Sequence, residues 1–159
     1  MPAEPLVDPT TLDFSRPLLD RNAIERILPH RGAMLLLDGV LQVDRGRNIG
    51  VGFRDCRKDE FWVPGHFPGN PILPGVVLTE AAGQLGLVGY KIFYPETRDR
   101  LLVLAGLDRL RFRGTVRPGD RVVLAAREMQ SNPRATRFFT QAIVQGRVVF
   151  EGEIFAVLT

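Results

Sequence analysis

The sequence predicts an α+β domain in which one long antiparallel sheet holds a single buried helix. Three observations carry that expectation. Only one long segment, residues 75–93, has the length and apolarity of a helix, and it is apolar on every side. Strand-like runs flank it before and after, and the connections after it are short, which makes neighbours antiparallel. The 159 residues are enough for one domain with a real core, and 45% hydrophobic with 25% charged content is ordinary for a globular chain.

In chain order, residues 1–19, with Pro2, Pro5, Pro9 and Pro17, read as an irregular arm, and residues 20–159 as the domain. Asp20 is placed to cap a short helix through Ile24 and Ile27 that Pro29 stops. Residues 33–44 and 47–54 read as strands joined by a turn at Asp44-Arg45-Gly46. Residues 60–74 form a Pro/Gly loop. Four more strands follow the long helix, at residues 101–114, 121–130, 135–145 and 148–158. They are punctuated by Arg117-Pro-Gly-Asp120, by residues 131–134 and by the tight Gln145-Gly-Arg147.

Composition removes several function classes. Arg and Lys number 21 against 18 Asp and Glu, a net charge of +3, with no basic run interleaved with aromatics, so nucleic acid is not an expected partner. The N-terminus lacks a basic segment followed by an apolar one, and no apolar run approaches the roughly 20 residues that span a bilayer. A single cysteine, Cys56, precludes an intramolecular disulfide and suits a reducing cytoplasm. With only His30 and His66 beside it, a zinc cage is not expected.

The chemistry concentrates in residues 65–86, GHFPGNPILPGVVLTEAAGQLG. Pro68, Pro71 and Pro74 stiffen the loop around His66, as a general base requires. Pro74-Gly75 opens the helix, where free amides and the helix dipole can stabilise an oxyanion. Glu80 sits in an apolar helix with Gln84 one turn on, so its carboxylate must be paired, neutral or at a wet cleft. A base, a carboxyl group and an amide-lined oxyanion site suit proton removal beside a carbonyl followed by loss of a leaving group. His30 carries no such signal and reads as an ordinary hydrogen-bonded histidine.

The stretch from Gly65 to Ala81 resembles the signature of the β-hydroxyacyl-[acyl carrier protein] dehydratases of bacterial fatty acid synthesis. Ile27-Leu-Pro-His-Arg31, Leu36-Leu-Asp38, Ala105-Gly-Leu-Asp108, Arg111-Phe-Arg113 and Pro118-Gly-Asp120 extend the likeness, which covers residue 22 to the C-terminus. The resemblance implies a hot-dog fold and a homodimer, or a trimer of dimers, with active sites shared between chains. It implies that His66 is the catalytic base and that Glu80, from the other protomer, is the helix acid. Gly75, Phe67 and Gln84 become the oxyanion and substrate contacts. The substrate it implies is a (3R)-hydroxyacyl thioester on acyl carrier protein, dehydrated without metal or organic cofactor. Glutamate at position 80 favours the branch that only dehydrates.

Two departures bear on chain length and gating: Gly32-Ala33-Met34 replaces an aromatic pair, and Leu101-Leu-Val-Leu104 lacks a gating tyrosine. A hot-dog thioesterase and a non-catalytic acyl- or carrier-binding module are the alternatives. Alternation along residues 107–114 puts Arg109, Arg111 and Arg113 on one face, with Arg117 following, as the expected carrier-docking surface.

Overall fold

The computed structural model describes residues 3–159. Its elements are β1 (Leu19–Asp20), α1 (Arg21–Glu25), β2 (Gly39–Asp44), β3 (Ile49–Asp55), α2 (Gly75–Phe93), β4 (Leu102–Phe112), β5 (Arg121–Asn132), β6 (Ala135–Val144) and β7 (Arg147–Leu158). The strands form one antiparallel sheet in the order β1-β2-β3-β5-β6-β7-β4. It wraps α2 in the hot-dog arrangement, and the helix packs against β3, β5 and β6.

Helix α2 runs over the 19 residues the sequence predicts. Leu78, Ala81, Ala82, Leu85 and Val88 are buried beneath the sheet. A Cβ on Gly86 would lie 2.2 Å from the ring of buried Phe138, so this glycine is what lets β6 approach the helix. Val76, Glu80, Gly83 and Leu87, spaced three to four apart, form the one stripe the main sheet leaves uncovered, and it faces β4. Beyond the helix, the buried Lys91 ammonium donates to the carbonyls of Thr97, Arg98 and Arg100 at 3.2, 2.8 and 2.7 Å. That clasp sets the loop from which β4 leaves. Among the described residues no helix is long and apolar enough to cross a membrane.

The turns follow their chemistry. Gly119 (φ 98°) completes the Arg117-to-Asp120 turn, and Gln145 and Gly146 (φ 49° and 77°) make the two-residue β6–β7 hairpin. Asp20 caps α1 by accepting from the Ala23 amide at 2.8 Å, although the helix ends at Glu25, short of Ile27.

The strand expected over residues 33–44 is corrected. Only Gly39–Asp44 pairs, while Gly32–Met34 is a 3₁₀ turn with Gly32 at φ 58°. Leu35, Leu36 and Leu37 are buried, but the Leu36 amide donates to the Gln84 side chain instead of to a strand. The first hairpin turn occupies residues 45–48, with Asn48 in the left-handed region, so β3 starts at Ile49. The N-terminal arm, expected to be irregular, lies across the sheet's outer face. Val7 is buried there among Ile49, Val51, Val123, Ala125, Ile143 and Val148. Gln141 fixes it, accepting from the Leu6 amide at 2.7 Å and donating to the Glu4 carbonyl at 3.0 Å.

Gly86→Ala is expected to destabilise the fold by about 1–3 kcal/mol, because forcing a methyl against Phe138 outweighs the gain in helix propensity of about 1 kcal/mol. Urea unfolding measures this; a more stable variant would mean that Phe138 moves aside freely.

Candidate active site

The loop ahead of α2 holds His66 by its backbone. The amides of Gly65 and His66 both donate to the Trp62 carbonyl. Phe67-Pro-Gly-Asn70 closes as a turn, with Gly69 at φ 72° and the Asn70 amide 2.8 Å from the Phe67 carbonyl. The Ile72 amide donates to the His66 carbonyl at 2.7 Å. Arg117 straps the loop from the β4–β5 side, donating to Asn70 Oδ1 at 2.7 Å and to the Pro71 carbonyl at 3.3 Å.

Within that frame, His66 Nδ1 lies 2.7 Å from the Ile72 carbonyl, which can only accept. Nδ1 must therefore carry the hydrogen, and Nε2 is the nitrogen left with a basic lone pair. The half-exposed Phe67 ring stacks on the imidazole at 4.1 Å. The Gly75 amide, at the first turn of α2, finds no acceptor among the described residues. A Cβ on Gly75 would stand 2.7 Å from the Phe112 ring, so the residue keeps this helix start open to close approach.

Glu80 lies elsewhere. It lines a cavity of about 330 Å³ between α2 and the strands β4, β6 and β7, walled by Leu87, Leu104, Leu107, Leu110, Phe112 and Phe138. Its side chain keeps 38% of its exposure. The carboxylate in this apolar helix is satisfied locally. Glu80 Oε1 receives Gln84 Nε2 at 2.9 Å, and His30 Nε2 lies 3.2 Å from the same oxygen. The His30 hydrogen bond, ahead of the opposing effect of burial and with help from Gln84, holds the Glu80 carboxyl below the usual range.

Gln84, itself buried, uses both ends of its amide. Besides Glu80 it donates to the Met34 carbonyl at 2.7 Å, and it accepts from the Leu36 amide at 2.9 Å. Cys56, the lone thiol, is buried and pushed up to about 11 by that burial, which keeps it unreactive.

The single chain thus brings together Glu80, Gln84 and His30, and separately His66, Phe67 and Gly75. His66 does not line the cavity that holds Glu80, and no hydrogen bond or ion pair joins the two. His30 is the residue that sequence reasoning missed. Its only signal lay in the family-like run ending at Arg31; nothing in residue type or local pattern distinguished it.

The arginines occupy the sheet's outer face by a different route than strict alternation. A bulge between Asp108 and Arg111, with Arg109 at φ 54°, puts Asp108 on that face as well. Arg109 pairs with Glu153 at 3.0 Å, and Arg113 pairs with Glu151. Arg111 donates only to the Leu110 carbonyl and meets no carboxylate among the described residues.

A family model described as a FabA-like domain matches residues 28–154. A 3-hydroxyacyl-[acyl-carrier-protein] dehydratase FabZ of Moorella thermoacetica is 41% identical over 140 residues, spanning 87% of this chain and 96% of its own. The Bacillus subtilis protein of the same name is 36% identical, spanning 86% and 96%. Among solved structures, the dehydratase heterocomplex ApeI:P from Xenorhabdus doucetiae superposes with a TM-score of 0.73 at 21% identity, over 86% of this chain and 90% of that one. At that identity the likeness speaks for the fold.

Gln84→Ala is expected to cost about 1–3 kcal/mol of stability, since it orphans the buried Leu36 amide and the Met34 carbonyl. Chemical denaturation checks it, and an unchanged midpoint would mean that water replaces the amide.

Proposed function

The chain belongs to the FabA-like domain family, among the 3-hydroxyacyl-[acyl-carrier-protein] dehydratases FabZ, and from that premise we propose how its residues carry out the reaction. It is a hydro-lyase that converts (3R)-hydroxyacyl-[acyl carrier protein] to the trans-2-enoyl form in fatty acid biosynthesis. The single observation that carries the site assignment is the His66 tautomer: Nδ1 tied to a carbonyl leaves Nε2 as a positioned base.

Nε2 of His66 takes the α-proton of the thioester. The Gly75 amide donates to the thioester oxygen as negative charge develops on it. Glu80 gives a proton to the β-hydroxyl, which leaves as water. The acyl chain runs along the apolar wall of Leu87, Leu104, Leu107 and Phe138. Phe67, stacked on the base, shields it and borders the substrate, while Gln84 acts through Glu80.

Because His66 and Glu80 stand apart in one chain, the working unit is a homodimer in which each site takes His66 from one protomer and Glu80 from its partner. β4 supports this reading. It is the edge of the sheet, and Val103 (43%), Leu104 (59%) and Leu107 (41%) stand exposed along it. An apolar unpaired edge of that length calls for a second strand. The enzyme works in the cytoplasm, where its lone thiol stays reduced. The carrier docks on the arginine face with Arg111, whose guanidinium meets no carboxylate among the described residues, as the leading contact and Arg109, Arg113 and Arg117 beside it.

His66→Ala and Glu80→Gln are each expected to lower kcat by about 10²–10⁴-fold, followed as enoyl absorbance without free thiol. Mixing the two inactive variants with subunit exchange should restore part of the activity. Thiol release instead would indicate a thioesterase, and no recovery despite exchange would put both residues in one chain. Arg111→Glu should raise KM for acyl-carrier substrates and flatten their salt dependence, while leaving a short pantetheine thioester almost unaffected. Equal loss on both substrates would remove Arg111 from docking.

A further inference from the structure

Two side chains converge on one oxygen of Glu80. Oε1 takes Gln84 Nε2 at 2.9 Å and His30 Nε2 at 3.2 Å, whereas Oε2 has no partner among the described residues. His30 is held from behind. Arg31 donates from Nη1 to the Leu28 and His30 carbonyls, both at 2.7 Å, and from Nη2 to the Glu25 carbonyl at 2.8 Å. These bonds fix the backbone just beyond α1. The imidazole is largely buried, and its Nδ1 is enclosed with no hydrogen-bond partner. A hydrogen on Nδ1 would have nothing to bond, so the geometry accommodates the tautomer that donates from Nε2 to Glu80.

The two oxygens of a protonated carboxyl group are unlike: one is a carbonyl that accepts, the other a hydroxyl that carries the hydrogen. Gln84 Nε2 donates to Oε1 and His30 Nε2 lies 3.2 Å from the same atom, which makes Oε1 the accepting oxygen, so a proton arriving at Glu80 resides on Oε2. Resting on the reading of Glu80 as the acid group of dehydration, we propose that His30 is a positioning residue. With Gln84 it pins Oε1 and selects Oε2 as the atom that delivers the proton to the leaving hydroxyl. The Oε2–H bond breaks as the Cβ–O bond breaks, water departs, and the α-proton goes to the partner subunit's His66. His30 keeps its own hydrogen throughout.

The surroundings isolate this contact. Apart from Glu80, His30 is the only titratable side chain on the cavity wall. β4, β6 and β7 bring apolar groups, and α2 adds only neutral ones. A donor that stabilises the ionised form lowers a carboxyl pKa, so removing His30 should raise that of Glu80.

His30→Ala and His30→Gln make the test. The glutamine amide reaches close to the position of Nε2 and donates there, yet cannot titrate near neutrality. His30→Ala is expected to lower kcat by about 10- to 100-fold with KM little changed, as a misplaced group does, and His30→Gln to recover most of it. Independently of catalysis, ¹³C NMR of labelled glutamate, assigned with Glu80→Gln, should show the Glu80 titration moving to higher pH in His30→Ala and returning in His30→Gln. If His30→Ala fails to fold, His30→Asn, whose amide stops short of Nε2, replaces it. An active wild type whose alanine variant keeps full kcat and an unmoved Glu80 titration overturns the proposal. So does a folded glutamine variant as impaired as alanine, since the imidazole itself would then be required. A wild type that does not dehydrate at all defeats the functional reading instead, and the NMR comparison still decides whether His30 holds Glu80.

Discussion

A carboxylate can stand on a buried helix only where its oxygens are satisfied or wet, and much of this architecture meets that condition for Glu80. The helix is apolar because it is the core of the sheet, and the acid stands on the one stripe that lines the cavity beside β4. Gln84 joins the two requirements. One buried amide donates to Glu80 and to the Met34 carbonyl and takes the Leu36 amide, so the bonds that steady the acid also dock the connection between α1 and β2 onto α2. His30 rides on that same connection. The site and the fold therefore share bonds on this side of the helix.

On the other side the division of labour is different. His66 depends mainly on backbone: a turn closed by Gly69 and the carbonyls of Trp62 and Ile72, with a side-chain strap from Arg117 to Asn70. Trp62 at the start of this loop and Leu73 near its end are buried in the core, and the residues between them are not. Its rigidity serves position more than stability. His66 is held by its loop, whereas Glu80 stands on the core helix.

The sequence made legible what depends on local chemistry. The long helix, the proline-stiffened loop, the turns at Gly119 and Gly146 and the strands around them follow from periodicity, fixed φ and the demand for left-handed residues. What depends on a distant partner was hidden. Leu35 to Leu37 look like a strand because they are apolar and buried, yet the Leu36 amide is claimed by Gln84, nearly 50 positions away. The arm's proline content suggested irregularity, but Val7 and Gln141 tie it across the sheet. The arginine alternation was broken by a bulge at Arg109 that no residue type announces, and its charges met Glu151 and Glu153 from β7.

The same division explains why the candidate site was half legible. His66, Gly75 and Glu80 lie within sixteen consecutive residues, and their spacing to prolines and to the helix start conveys their chemistry. His30 acts only through a contact across 50 residues. From its neighbours it is one histidine after a short helix, and its importance comes from which oxygen it faces. A carboxyl group with both oxygens free could present a proton in several directions. Gln84 Nε2 and His30 Nε2, both on Oε1, narrow that freedom, the kind of preorganisation that the proposed role of Glu80 calls for.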